Sequence, residues 1–166
     1  MSLGEQYNIG ARIKVKVALT NTSITQSSAA LATSSTGHAV NRNDSGLRRY
    51  YSCKAVVAGA FTGASSQRTG ALTMGVQHSS DGTSWDAFST GTAVSATWGS
   101  TSTGGSTGAT GGVAFNSVEQ SVNLVRARQF LRIVLDAPTF QDCSSGSSLA
   151  VAGTFVFGGA DELPAQ

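Results

Sequence analysis

The chain has 166 residues, of which 40% are hydrophobic and 12% are charged, and its formal net charge is +2. This length predicts one domain, large enough to bury a core without a metal or a disulfide. The 11 basic residues are scattered rather than arranged in a stripe, which argues against a nucleic-acid-binding protein. No apolar run approaches the ~20 residues of a membrane-spanning helix.

Ser, Thr and Gly replace the missing charged residues, since about 25% charged residues is usual. Hydroxyl groups cost less to desolvate than the charges of Lys or Glu, so such a surface can be buried against a partner. The composition therefore favours a protein that assembles. The first residues, Met1 to Tyr7, lack the basic and apolar regions of a secretory signal, and we expect synthesis and assembly in a cytoplasm.

The two cysteines, Cys53 and Cys143, do not have metal-ligand spacing. Cys53 lies in an apolar segment and is predicted to be a small core residue. Whether the two cysteines form a disulfide stays open, although a reducing compartment argues against it.

The first predicted strand follows an N-terminal arm of residues 1–11. Residues 13–20 alternate between apolar and polar, which predicts a half-buried strand. Lys14 and Lys16 are expected to face water or a partner. The residues placed on the buried face are Ile13, Val15, Val17 and Leu19.

The middle of the chain contains two further predicted strands and a turn. Residues 50–61 are almost continuously apolar, which predicts a central strand covered on both faces. Residues 71–79 alternate, with Leu72, Met74 and Val76 on one face. The turn that follows contains Asp81 and Gly82, a pair that favours the positive φ of tight hairpins. Trp85 begins the return and is expected to pack at the core or the sheet edge.

Residues 89–112 are Ser, Thr and Gly with few apolar residues, and they predict a long flexible loop. Residues 130–136 and 149–157 alternate again and predict two more strands, and residues 160–166 form a tail. Several strands with polar, Gly-rich connections predict an all-β fold. We expect a single-domain antiparallel β-sandwich or jelly roll over residues 12–159, with long Ser/Thr/Gly-rich loops.

Catalytic, metal and cofactor motifs are not evident. The two histidines, His38 and His78, are not accompanied by a nucleophile elbow, and residues 104–108 lack the lysine of a phosphate-binding loop. His78 with Asp81 and Asp86 is the best candidate cluster, but three residues bunched near one turn lack a converging second strand. Asp81, Asp86, Asp136 and Asp142 do not suggest a glycosidase pair, because Asp81 and Asp136 have structural roles in a turn and at a strand end. We expect no enzyme activity and no cofactor.

Several residues are candidates for contacts with other subunits. Trp98 lies in the Ser/Thr/Gly segment without apolar neighbours, so it either fills the domain's own core or anchors in a neighbouring subunit. Arg–Tyr groupings are enriched at interfaces, and strand-end charges at an aromatic edge are an equal alternative. Arginines can bind carboxylates on a partner or form a solvated face. The arginine and tyrosine candidates are Arg48, Arg49, Tyr50, Arg126, Arg128 and Arg132.

Two motifs in this order resemble small structural proteins of tailed bacteriophages. The first is Val76 to Trp85, with the pattern Q-x-S-x-D-G-x-x-W, and the second is Arg128 to Val134, with the pattern R-x-[FY]-[LV]-R-[VI]. A last strand ending in Phe157-Gly158-Gly159 completes the resemblance, which covers roughly residues 50–159. The Ser/Thr/Gly insertion of residues 89–112 departs from the compact form of these proteins.

The resemblance implies a virion protein that decorates the capsid surface, a β-sandwich that forms homotrimers and clamps the major capsid protein. It carries no catalytic residues to this chain. A tail or head-fibre component is one alternative. A carbohydrate-binding module, with Trp85 or Trp98 stacked on sugar rings, is another.

Overall fold

A computed structural model describes residues 13–25, 35–44, 48–62, 69–88, 94–99, 113–141 and 148–162. Every regular element in these ranges is a β-strand. The strands in chain order are β1 (Lys14–Thr25), β2 (Ser35–Thr36), β3 (Val40–Asn41), β4 (Asn43–Asp44), β5 (Arg48–Thr62), β6 (Thr69–Ser79), β7 (Asp86–Ala87), β8 (Val94–Gly99), β9 (Val113–Asn123), β10 (Phe130–Leu135), β11 (Thr139–Gln141) and β12 (Ser148–Glu162).

The strands form two antiparallel sheets. In the first sheet β12 lies between β1 and β5, and β9 pairs with the other edge of β5, beside the short β4. In the second sheet β6 lies between β10 with β11 on one side and β7 with β8 on the other, and β2 and β3 continue the sheet beyond β10.

The strand order identifies a jelly roll. When the short strands β2 and β3, β7 and β8, and β10 and β11 are each taken as one interrupted strand, the row β1–β12–β5–β9 faces a row in which β3, β10, β6 and β8 are neighbours. The last strand therefore lies between the first and a middle strand, as in an antiparallel sandwich built from two Greek keys. The expected all-β sandwich is confirmed.

One hydrophobic core lies between the two sheets. Its largest members include Phe61, Phe155 and Phe157 from the first sheet and the leucines of β6 and β10 from the second. Across the sandwich the rings of Phe61 and Phe140 are 6.1 Å apart. At Gly153 the sheets approach so closely that a Cβ would lie 3.1 Å from Ile133 Cδ1.

The alternations predicted for the second sheet are confirmed. Leu72, Met74 and Val76 of β6 are buried. Along β10 partly exposed and buried residues alternate strictly from Phe130 to Leu135. Because successive side chains of a strand point to opposite faces, this pattern is what a sheet with one covered face requires.

The face assigned to β1 from its sequence is wrong. Val15 and Val17 are 58% and 60% exposed, and Ile13 is also exposed. Lys14 and Lys16 pair instead with the inward-pointing Phe157 and Phe155, and directly paired residues share a face of the sheet. Register shifts around Leu19 then return that residue to the core, as a β-bulge does.

Lys16 shows why this edge accepts lysine. Its Nζ donates a hydrogen bond to the carbonyl oxygen of Asn41 at 2.6 Å, and it lies 5.9 Å from the centre of the Phe157 ring. The ammonium group thus lies over the aromatic edge of the core while a backbone carbonyl satisfies it. Polar–apolar alternation alone does not reveal which side such an edge strand presents to the core.

Two predicted extents also differ from the structure. The predicted loop over residues 89–112 contains strand β8, which pairs with β6 from Thr69 to Met74. The predicted tail begins too early, because β12 continues to Glu162 and Ala160 pairs with Tyr50. The N-terminal arm predicted for residues 1–11 lies outside the described residues.

Candidate interaction surface

The turn after β6 is organised by Ser79 and Asp81. The buried Ser79 hydroxyl donates to Asp81 Oδ1 at 2.7 Å and accepts from the backbone N–H of Gly82 at 2.9 Å. Asp81 Oδ1 also accepts from the N–H groups of Thr83 and Ser84, at 2.8 and 2.9 Å. These donors, that of Ser84 first, lower the pKa of the Asp81 carboxyl. Gly82 has a φ of 77°, as the Asp-Gly pair predicts.

The turn positions Trp85 over the outer face of the second sheet. The guanidinium carbon of Arg132 lies 4.4 Å from the centre of the Trp85 ring, within the range of a cation–π contact. Arg132 Nε donates to Gln77 Oε1 at 2.8 Å. The Arg132 guanidinium therefore already contacts two residues of its own domain, which argues against its predicted role as a partner-binding arginine.

His78 and Asp86 pair across β6 and β7, but Asp81 is engaged in the turn, so the three residues do not form one site. The His78 ring stacks on Phe88 with centres 4.6 Å apart, and the N–H of Arg128 lies 3.4 Å from its Nδ1. Burial, followed by the charge of Arg128, lowers the pKa of His78. Asp86 forms an ion pair with Arg128. Among the described residues no three His, Cys, Asp or Glu side chains lie close enough together to hold a metal ion.

The remaining predicted interaction residues have different environments. Tyr50 is 1% exposed and packs on Phe157 with ring centres 5.3 Å apart, so its assignment to an interface is wrong. Arg49 is partly exposed, and Arg126 is exposed in the turn after β9. For Arg48 and Trp98 the structure describes the backbone, within β5 and β8, and their side chains lie outside the described part.

Arg42 is a buried cation that sequence analysis did not single out. It is 1% exposed, and its Nη1 donates to the carbonyl oxygen of Leu124. Its backbone N–H donates to Gln129 at 3.0 Å. Desolvation, followed by the charge of Arg49, lowers the pKa of the guanidinium. Arg42 thus ties the segment before β4 to the turn after β9, and its position after a polar loop gave no signal of this role.

Cys53 faces the core, as predicted. Its thiol is free and buried, and burial raises its pKa to about 12. A thiol with so high a pKa is a poor nucleophile at neutral pH. Cys143, its candidate disulfide partner, lies outside the described residues.

The outward face of the first sheet carries four of the exposed large hydrophobic residues of the described structure, Ile13, Val15, Val17 and Phe115. Apart from Lys54, the outward positions of β12 and β5 in the range Lys54 to Ala60 and Ala150 to Val156 are small or apolar, and none of them is fully buried. We call this surface the open face and define it by its outward residues: Ile13, Val15 and Val17 of β1; Ala150, Ala152, Thr154 and Val156 of β12; Lys54, Val56, Ala58 and Ala60 of β5; and Phe115, Ser117, Glu119 and Ser121 of β9.

The open face corrects the prediction for residues 50–61. Within the described part of the chain only one side of β5 is covered, where Ala55 and Val57 meet the core, while Val56 and Ala58 remain accessible. The almost continuous apolarity of this segment was therefore the available sequence signal for the open face. This signal predicts cover on both faces of the strand but does not say what supplies the second cover.

Charge on the open face is confined to its β9 side. Lys54 and Glu119 form an ion pair of 2.7 Å, and each side chain is half exposed. Phe115, near one end of the same strand, is 81% exposed. Soluble monomers rarely expose large contiguous apolar surfaces, and those that occur mark contacts with other molecules.

The described residues contain no helix that is long and apolar enough to cross a lipid bilayer.

No family model and no curated protein sequence matches this chain. Among solved structures, the VP2 subviral particle of infectious bursal disease virus is similar over 91% of this chain, with 14% identity and a TM-score of 0.43. This chain spans about a third of that protein, 32% of its length. A chain in the native virion of Kashmir bee virus is similar over 98% of this chain and 80% of its own length, with 13% identity and a TM-score of 0.41. At these TM-scores the likeness establishes neither fold nor function, and the jelly-roll description rests on the strand order.

Proposed function

We propose that this chain is a structural protein of a virus particle. The observation that carries the proposal is the open face, because a domain with one sheet apolar on both sides is suited to be covered by a neighbour. Jelly rolls build viral capsid domains, and they also build lectins and cupins, so the fold supports the proposal by association only. The hydroxyl-rich, charge-poor composition adds support, since it lowers the cost of burial against neighbouring subunits.

Within this class we favour a capsid decoration protein. The support is the resemblance of residues 76–85 and 128–134 to small structural proteins of tailed bacteriophages. Such a protein binds the major capsid protein on the capsid surface, stabilises the lattice and forms homotrimers. A tail or head-fibre component is the alternative that the same resemblance allows.

A carbohydrate-binding module has less support. Sugar rings stack on exposed aromatic faces, and one face of Trp85 is occupied by Arg132 of the same domain. Trp98, the other predicted stacking residue, has its side chain outside the described part of the structure.

The test is the location of the chain in purified particles, using gold-labelled antibody and negative-stain microscopy. A decoration protein gives label over the whole capsid surface, and a tail or fibre component gives label at one vertex or along the tail. Particles without label, and without peptides of this chain in mass spectrometry, would contradict the proposed function. Particles treated with labelled preimmune antibody are the control.

A further inference from the structure

We propose that two copies of this chain pair through their open faces, related by a twofold axis that lies between the sheets and runs across the strands. This inference concerns a contact between copies, and it stands or falls independently of the proposed place in a virus particle. It rests on the composition of the open face, the position of its single described ion pair, and its size.

The axis follows from the arrangement of apolar and charged residues. A twofold axis across the strands places β1 over the partner's β1 and β9 over the partner's β9. The valines of β1 and β12 then meet one another, and the charged side meets the charged side. An axis along the strands would instead place the Lys54–Glu119 ion pair against the partner's apolar residues, where the pair would lose water without gaining a further polar contact.

The ion pair makes this arrangement self-complementary. Lys54 of β5 pairs with Ser121 of β9, and Glu119 of β9 pairs with Val56 of β5. The two charges therefore lie in neighbouring rows of outward residues, two positions apart along the strands. An axis midway between these two rows places Lys54 at the level of Glu119 in the second copy, one strand away. The two residues are then offset by one strand spacing of ~4.8 Å across facing sheets ~10 Å apart, a separation that extended lysine and glutamate side chains together can span. Each lysine can then contact a glutamate of both copies.

The same axis brings valine against valine. Val15 lies in the same row as Lys54, because both residues pair with Val156. Val17 lies in the same row as Val56, because both residues pair with Thr154. Exchanging these two rows places Val15 over Val17 of the second copy. Sheets packed face to face are ~10 Å apart, a distance that valine and threonine side chains from both sides fill.

The open face is large enough for a specific contact. The open face spans roughly five residues of β1 and roughly seven of each of β12, β5 and β9, which at ~3.4 Å per residue and ~4.8 Å per strand cover on the order of 400 Å² in projection. Protruding side chains make the accessible area larger, which brings it near the ~800 Å² per partner of a standard stable interface. A single peptide segment in extended form would cover one strand's width and leave most of the valines exposed.

The first experiment measures the native mass of the purified full chain by light scattering and by sedimentation equilibrium over a range of concentrations. We expect a species with an even number of chains that dissociates on dilution. Val17→Glu places a charge against the apolar partner surface and should weaken the association about tenfold or more. Thr139→Glu, at an exposed strand position of the second sheet, is the matched control and should leave the association unchanged. Circular dichroism verifies that each variant is folded.

The second experiment tests the charge arrangement directly. Lys54→Glu gives a face with two negative charges and Glu119→Lys gives a face with two positive charges, so each variant alone should associate more weakly than the wild type. Mixing the two variants should restore pairing, detected as a mixed dimer by native mass spectrometry. No partner other than a second copy of this face predicts such rescue.

Three results would overturn the inference. A wild type that stays monomeric at high concentration excludes the pairing, and if removal of residues 1–12 then lowers its thermal midpoint, the open face binds that segment of its own chain. A trimer that is insensitive to Val17→Glu excludes the pairing while leaving the decoration role supported. A monomer that requires Val17 to bind purified capsids assigns the open face to the capsid protein instead.

Discussion

The two sheets of this jelly roll differ in how far other parts of the chain cover their outer faces. Near the turn after β6, outward residues of the second sheet are covered by the chain itself, because Gly82 lies next to the Phe130 ring and Trp85 lies over Arg132. Outward valines of the first sheet have no such cover among the described residues, and Val15 and Val17 remain more than half exposed. A turn of the chain therefore covers part of the outer face of the second sheet, whereas the outward valines of the first sheet stay accessible among the described residues.

The largest expected effect is a difference in the free energy of unfolding between substitutions on the inner face and on the outer face of the first sheet. Phe155 is fully buried, and Phe155→Ala should lower the free energy of unfolding by about 3–5 kcal/mol through lost burial and a cavity. Val17→Ala, on the same sheet, should change it by no more than about 0.5 kcal/mol in the monomer. The measurement is urea unfolding monitored by tryptophan fluorescence at a concentration below that of self-association.

Equal losses for the two variants would show that Val17 is buried by a part of its own chain, and the contrast between the sheets would disappear. A rise of the Val17→Ala effect with protein concentration, absent for the Thr139→Ala control, would instead indicate burial of Val17 by a second copy, because association stabilises the folded state by mass action.

A smaller effect is expected at the covered face of the second sheet. Trp85→Ala removes the contact with Arg132 and a half-buried aromatic ring, and we expect a loss of about 1–2 kcal/mol in the free energy of unfolding. Trp85→Phe keeps an aromatic face and should lose less. Both variants should retain the native mass of the wild type. A change of native mass without a change in stability would mean that Trp85 serves a partner and not its own domain.

The sequence correctly predicted the positions of residues that depend on apolar–polar alternation along a strand or on local turn chemistry. The alternation of β6 and β10 and the positive φ of Gly82 follow from such local rules. It failed at β1, where an alternating strand can be placed with either face inward and a one-residue difference exchanges the two. The valines were assigned to the core because burial of apolar residues is the usual outcome. At the sandwich edge, carbonyl groups and the Phe157 ring instead made the inner side favourable for Lys16.

The candidate surface was predictable only in part, for a related reason. The almost continuous apolarity of residues 50–61 predicted a strand covered on both faces, whereas among the described residues only the inner face of β5 is covered. A sequence does not say whether a cover for the second face belongs to the same chain or to another one. Tyr50 looked like an interface residue beside two arginines, yet its ring lies against Phe157, a neighbour more than 100 positions away in the sequence. Such contacts depend on strand order, which local periodicity does not contain.

The smallest effect is expected from Asp81, because its carboxylate is exposed and acts on the turn that positions Trp85. Hydrogen bonds from Ser84, Thr83 and Ser79 favour the charged form and lower the pKa of Asp81 in the folded state. A lowered pKa contributes stability that is fully present above the unfolded value of about 3.9 and is lost as the pH falls below it toward the folded value.

Asp81→Asn keeps the shape of the side chain and removes the charge. We therefore expect the variant to be less stable than the wild type at neutral pH, and the difference to shrink as the pH is lowered below about 4. Thermal unfolding of both proteins between pH 7 and pH 2 measures it, and Asp136→Asn controls for the loss of one surface charge. A difference that persists unchanged at low pH would mean that the turn depends on the geometry of the Asp81 side chain and not on its charge. The cover that Trp85 provides would then be independent of pH.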